Sequence, residues 1–342
     1  MEKKVVTFGE ILLRLSTKNA ELFQQSNELQ THYGGSEANV AVSLSRMGIS
    51  ASIVSAVPDN EIAEGALSTF RKHGVNTREI LKTEEGRLGL YFLEQGAAVR
   101  GSKVIYDRGG SSFALLKKGS LDWRNLLKGS SWFHISGISP AVSQSAAEAS
   151  IEATSIAKEM GLKVSVDLNF RNQLWKYGVK PDEVMPEIVK HADVLLGDPS
   201  SINVMLGTSI PTKPFYASAD DLLPSYKVLK GEFPNLEHIA MTLRTVKSTN
   251  HNLIGGALFH DGNMYDAKTV DVTSIVERIG GGDAFMAGLI YGLITEKNLD
   301  YTINYAAIAS VLKMTISGDF NFFTSDEIES YMQGDMQGKL KR

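Results

Sequence analysis

The chain predicts an α/β protein: a mainly parallel central sheet flanked by helices, with a small β-sheet lid attached. Three observations point there. Short apolar or β-branched runs alternate with helix-periodic segments along most of the 342 residues, the pattern of strands joined by crossover helices. Two stretches, 10–33 and 87–113, break that rhythm with strand-like alternation and no helix between. Glycine-rich turns stand directly before helical runs at two places far apart in the chain.

Residues 5–8 read as the first buried strand, followed in the body by strands at 51–56, 132–135, 164–167, 194–197 and 238–243. Between them, 37–47, 61–72, 143–160 and 181–191 have helical spacing, and 284–294 and 303–315 add two late helices. The body therefore comprises 1–9, 34–86 and 114–332, the lid comprises 10–33 and 87–113, and polar residues 333–342 form a loose tail. A β insertion of this kind suits a cover over a site.

Bulk composition excludes several classes. A chain 43% hydrophobic and 22% charged is ordinary for a soluble globular protein. Its net charge of −4 argues against a general nucleic-acid or membrane surface. No cysteine means no disulfide, no thiolate chemistry and no cysteine zinc site. The longest apolar stretch, 284–294, is too short to cross a bilayer. The first fifteen residues lack a signal-peptide pattern, so the cytoplasm is the expected location. The seven histidines show no metal-ligand spacing, and His134 reads as a satisfied buried histidine. Neither a P-loop nor a dinucleotide-binding glycine fingerprint occurs.

The most informative segment is Arg278-Ile-Gly-Gly-Gly-Asp283-Ala-Phe-Met-Ala-Gly288. Gly280, Gly281 and Gly282 let main-chain N–H groups approach a ligand, and a helix N-terminus adds unpaired donors and a positive dipole end. An anion belongs at such a junction. Asp283 suits an N-cap, and a carboxylate aimed into an anion pocket also suits a base. Together they fit phosphoryl transfer to a hydroxyl; the same residues also fit an ordinary glycine turn with an Asp cap.

Four further stretches carry polar chemistry. Gly34, Gly35 and Asn39 form a second glycine turn opening a helix, suited to a small polar ligand or to a plain strand-to-helix turn. Asp167-Leu-Asn169-Phe-Arg171 follows a strand, at the C-terminal sheet edge where parallel α/β proteins bind ligands. Tyr91, Tyr106 and Arg108 lie on the two lid strands, where they suit an acidic, hydroxylated small molecule or are surface residues. Thr242, Arg244 and Ser248 follow another strand, positioned for nucleotide phosphate or ribose with Asn252 nearby; Asp319 follows an apolar helix, with Gly318 as its cap.

The glycine motifs Gly34-Gly35…Asn39-x-Ala41 and Gly280-Gly-Gly-Asp283 resemble the two signatures of the ribokinase-like (PfkB) carbohydrate kinases. The resemblance runs from Gly9-Glu10 to Asp319-Phe-Asn321. Within the family, Gly89-Leu-Tyr91, Tyr106-x-Arg108, Asp167-x-Asn169-x-Arg171, Thr242-Leu-Arg244 and Gly318-Asp-Phe-Asn321 look like 2-keto-3-deoxygluconate kinases. It implies a ribokinase-like fold and transfer of the ATP γ-phosphoryl group to the C6 hydroxyl of the sugar acid. Asp283 would be the general base and Gly280–Gly282 the anion hole. Gly34, Gly35, Asn39, Tyr91, Tyr106, Arg108, Arg171 and Asp319 would meet the sugar acid, and Asn169, Thr242, Arg244 and Ser248 would serve ATP. It further implies Mg²⁺, in some members a monovalent cation, and a homo-oligomer, with neither nucleic acid nor membrane as partner. The alternatives are a kinase for fructose, ribose or 2-keto-3-deoxygalactonate, or a catalytically silent binding protein with the same fold.

Three positions depart from the family pattern. Glu277 replaces an Asp associated with monovalent-cation effects in some members. Gly197-Asp198-Pro199-Ser200-Ser201 stands where the Asn-x-x-Glu motif linked to magnesium is expected, so the sequence names no metal ligand. Ser317 stands in place of a proline.

Overall fold

A computed structural model describes residues 3–334. The expected tail lies outside the described residues except for Gln333 and Gly334. The chain begins with β1 (Lys4–Phe8), β2 (Leu12–Ser16), β3 (Gln30–Gly34), α1 (Ser36–Arg46), β4 (Ser50–Val54), β5 (Ala56–Pro58), α2 (Glu61–Lys72), β6 (Leu81–Thr83), β7 (Gly89–Glu94), β8 (Lys103–Asp107) and α3 (Trp123–Leu126). Next come β9 (Trp132–Ser136), α4 (Gln144–Glu159), β10 (Lys163–Asp167), α5 (Pro181–Val189), β11 (Val194–Leu196), α6 (Pro199–Leu206) and α7 (Leu223–Glu232). The last third holds β12 (His238–Ser248), β13 (His251–His260), β14 (Asn263–Asp266), β15 (Val270–Val272), α8 (Gly281–Ile294), α9 (Leu299–Lys313) and α10 (Ser325–Met332).

Nine strands form the central sheet in the order β14-β13-β12-β11-β10-β9-β1-β4, with β15 also on β13. From β4 to β12 every pairing is parallel, and β13 and β14 close one edge antiparallel. Side chains of a strand alternate between faces, which splits the core in two. Val5 and Val194 pack with α1, α2, α8 and α9, while their neighbours Val6 and Leu195 pack with α3 to α7. Helices α8 and α9 approach closely at Gly288, where a Cβ would lie 2.7 Å from Ala306 Cα. The β-rich interruptions supply a separate four-stranded sheet, β3-β2-β7-β8.

Three elements differ from expectation. The run at 51–56 splits at Ser55, and β5 pairs with β6 instead of the main sheet. Residues 242–248 are not a loop after a strand: β12 continues to Ser248 and turns back as a hairpin with β13. Thr242, Thr245 and Val246 favour extended backbone, and the hairpin partner supplies the hydrogen bonds. Strand β13, buried along nearly its whole length, has no alternation to betray it.

Candidate active site

The parallel strands deliver their C-terminal ends to one rim. There β9 ends at Ser136 and β10 at Asp167, and α1 and α8 begin beside them. Glu37, in the first turn of α1, fixes this arrangement: its Oε1 accepts from Ser136 N at 2.9 Å, Ser136 Oγ at 2.8 Å and Ser139 Oγ at 2.7 Å.

Helix α8 starts from Gly280, held in the left-handed region at φ 79°. A Cβ there would fall 1.9 Å from Asp319 O, so only glycine fits. The Gly281 N–H donates to Arg278 O at 3.2 Å, whereas the Gly282 and Asp283 amides find no main-chain acceptor among the described residues, as expected for a helix's first turn. Gly282 is exposed, and a Cβ on it would meet nothing within 4 Å.

Asp283 is buried in that turn. Ser36 Oγ donates to its Oδ1 at 2.9 Å and Asn39 Nδ2 to its Oδ2 at 2.7 Å; Asn169 Nδ2 in turn donates to Ser36 Oγ at 3.0 Å. Burial pushes the Asp283 carboxyl up to about 6, against the pull of these donors. Asp167 is pushed to about 7 by burial and by Asp283. Asn169 has a positive φ of 40°, with its N–H bonded to Asp167 Oδ1 at 3.0 Å.

Two cavities, of about 500 and about 490 Å³, open on either side of Gly282. They share Asp167, Asn169, Arg171, Arg244, Arg278 and Gly282 as a common wall. The first is roofed by the four-stranded sheet through Tyr91, Tyr106 and Arg108, and has Asp283, Asn39 and Asp319 on its walls. Tyr91 Oη donates to Asp319 Oδ2 at 2.6 Å, and Arg14 Nη1 lies 3.1 Å from Asp319 Oδ1. Arg14, 0% exposed, also forks onto Glu277, whose Oε2 accepts from Gly318 N at 2.8 Å. Arg108 is ion-paired through Nε with buried Glu10, leaving its terminal nitrogens for a ligand. At the rim, the β7–β8 and β12–β13 tips meet: Thr249 N donates to Ala98 O at 3.0 Å and Thr249 Oγ1 to Arg100 O at 3.2 Å.

The second cavity is lined by Thr242, Asp198 and Met314. Asp198 caps α6, accepting from Ser200 N and Ser201 N at 3.0 Å each. Partial burial, then Arg278 and Arg171, push the Arg244 pKa down. Three guanidiniums thus crowd one wall, a charge that a polyphosphate would relieve. An acceptor in one cavity and an anionic donor in the other would meet at the N-terminus of α8.

A match to the description "pfkB family carbohydrate kinase" spans residues 2–321. The chain belongs to this family. Over 337 residues it is 30% identical to the 2-dehydro-3-deoxygalactonokinase of Haloferax volcanii, covering 98% of each chain. It is 26% identical over 315 residues to a 5-dehydro-2-deoxygluconokinase of Clostridium perfringens, covering 90% of this chain and 86% of that one. The crystal structure of 2-dehydro-3-deoxygluconokinase from Thermotoga maritima superposes with a TM-score of 0.91 at 35% identity, covering 97% of this chain and 100% of that one.

In this carbohydrate kinase most of the site residues expected from sequence line the two cavities, with three exceptions. Gly34 and Gly281 lie behind the walls, where a Cβ would meet Asp319 Oδ2 at 2.6 Å and Met314 Cε at 2.8 Å respectively. Ser248 lies on neither wall; it belongs to the hairpin turn, where its Oγ accepts from Asn250 N at 3.3 Å and its carbonyl meets the Asn252 amide. Its expected nucleotide role has no geometric support, because the strand runs on past the cavity. His134 is wholly buried, bonded through Nδ1 to Ser165 Oγ at 2.9 Å and held neutral by burial. Sequence reasoning passed over Ser36, Arg278, Glu10 and Arg14. Ser36 stood inside the quoted glycine motif, and Arg278 led the other.

Proposed function

We propose that this kinase transfers the γ-phosphoryl group of ATP to the C6 hydroxyl of 2-keto-3-deoxygluconate. One observation carries the reading: two cavities meet at Gly282, and a buried carboxylate stands on the acceptor side of that junction. Asp283 takes the hydroxyl proton as the hydroxyl oxygen bonds to the γ-phosphorus. The bond to the bridging oxygen breaks, and ADP leaves. The free amides that follow the Gly280 turn, those of Gly282 and Asp283, aided by Arg278 and Arg244, stabilise charge on the transferred group.

The sugar acid occupies the first cavity. Asp319, Tyr91, Tyr106 and Asn39 meet its hydroxyls, and Arg108 and Arg171 its carboxylate, a charge that a neutral sugar lacks. Gly34 serves by leaving room for Asp319, and Gly35 by lining the cavity. ATP occupies the second, along Asn169, Thr242 and Arg244. The small sheet acts as a lid that excludes water. Asp167 and Asp198 offer hard oxygen donors on the second cavity's wall. That set fits Mg²⁺, which keeps much of its water shell and needs only one or two protein carboxylates beside phosphate; when bound it neutralises phosphate charge. The names of the Haloferax and Thermotoga relatives support a keto-deoxy acid. The Haloferax relative also favours the galacto epimer as a second acceptor.

An ADP-release assay with Mg-ATP and a panel of 2-keto-3-deoxygluconate, its galacto epimer, fructose, ribose and gluconate tests this. Preference for 2-keto-3-deoxygluconate is expected. Preference for a neutral sugar would overturn the carboxylate argument, and preference for the epimer would select the second reading.

A further inference from the structure

Lys313 is the last residue of α9 and 0% exposed. Its Nζ makes one hydrogen bond, to Ile316 O at 3.3 Å, and no carboxylate lies within ion-pairing distance among the described residues. A desolvated ammonium held by a single long hydrogen bond weighs against the fold, and methionine would fill the same space. Its position is telling. A Cβ on Gly280 would stand 3.2 Å from Lys313 Cε and 1.9 Å from Asp319 O. The turn that opens α8 is thus pinned between a main-chain carbonyl and the last methylene of this lysine, the one that carries its ammonium.

The charged and titratable groups around Lys313 come from every neighbouring element. Glu277 precedes α8, Asp283 lies in its first turn, Asp319 follows α9, Arg14 projects from β2 and His32 from β3. Arg14 already neutralises part of the Glu277 and Asp319 charge. Lys313 is left as the cation behind the glycines.

We propose that Lys313 is a positioning residue for phosphoryl transfer: a built-in ammonium that braces the Gly280 turn and charges the anion hole from behind, touching neither substrate. This rests on reading Gly280–Gly282 as the anion hole. Burial pushes the Lys313 pKa down to about 8, so the ammonium titrates within the working range of an assay.

The test is the kcat and KM of Lys313→Met, Lys313→Arg and Lys313→Ala in ADP release with the best acceptor, beside Asp283→Asn. Lys313→Met should lose about tenfold or more in kcat, with the acceptor KM nearly unchanged. The wild type should lose kcat as pH rises through about 8; that limb should vanish in Lys313→Met and move upward in Lys313→Arg. Ammonium ions should restore part of the Lys313→Ala rate, tetramethylammonium none, and neither should change the wild type. Wild-type kcat and an unchanged alkaline limb in Lys313→Met would overturn the proposal. If Lys313→Met does not fold, Lys313→Arg decides: an unmoved limb overturns it. Turnover retained in Asp283→Asn would instead count against the site reading itself.

Discussion

Replacing Asp283 with asparagine should slow the enzyme and stabilise it at the same time. Loss of a general base removes about 10²–10⁴ from kcat. The stability change follows from the raised carboxyl. In the folded chain Asp283 titrates near 6 instead of its ordinary 3.8, so holding it ionised costs the fold about 3 kcal/mol. That cost is absent below 3.8, grows between 3.8 and 6, and is complete above 6. Asparagine carries none of it, but its amide nitrogen faces Ser36 Oγ or Asn39 Nδ2, both of which donate to the carboxylate; an unmatched donor returns about 1–2 kcal/mol. Net stabilisation at pH 8 is therefore about 1–2 kcal/mol, a few degrees in Tm, and near pH 4 the variant loses that advantage. Thermal unfolding at both pH values, with turnover beside it, checks both halves. The wild-type kcat should fall as pH drops through about 6. Equal Tm differences at both pH values, or turnover that survives the substitution, would refute the assignment of Asp283 as a buried base.

Arg171→Ala should raise the KM for a keto-deoxy acid about tenfold or more, far more than for neutral sugars. Arg108→Ala should do the same and also lower Tm, because Glu10 is left buried and unpaired; equal effects on acid and neutral acceptors would sink the carboxylate contact. Gly282→Ala should fold normally, since its Cβ meets nothing, yet lose kcat as the methyl enters the shared wall. Gly280→Ala should lose stability by more than about 3 kcal/mol, because its Cβ would strike Asp319 O; calorimetry separates the two. Arg14→Met strips the countercharge from Glu277 and Asp319 and should cost about 3–5 kcal/mol at neutral pH. Part of that loss should return toward acid pH as Asp319, raised above its ordinary value by burial, takes up a proton.

The architecture was legible because its signals are local. Alternation of short strands and amphipathic helices needs no knowledge of partners, and three glycines before Asp283 mark a turn that only a close-approaching backbone requires. What stayed hidden depends on distance along the chain. Arg14 meets Glu277 263 positions away, and nothing in the alternating pattern of β2 distinguishes an arginine buried in an ion pair from one in solvent. Lys313 reads as an ordinary helix C-terminal cation until Gly280 is placed against it. Ser248 was misplaced for a different reason: the end of a strand was inferred from loss of apolar residues, whereas a hairpin partner keeps polar backbone extended.

On the proposed function, the two hairpin tips that meet at Thr249 border the acceptor's way into the first cavity. Everything deeper in the first cavity is held by buried charge, Arg14 on β2 with Glu277 and Asp319, and Arg108 with Glu10. Rupturing any of these costs several kcal/mol, whereas the tips are joined by two hydrogen bonds worth about 1 kcal/mol each. The rim at the tips is therefore the soft end of the cavity and its ion-paired depth the stiff one. On the proposed reading, a sugar acid slides in hydroxyl first, and once phosphorylated it withdraws with its most heavily charged end last, past a wall of arginines.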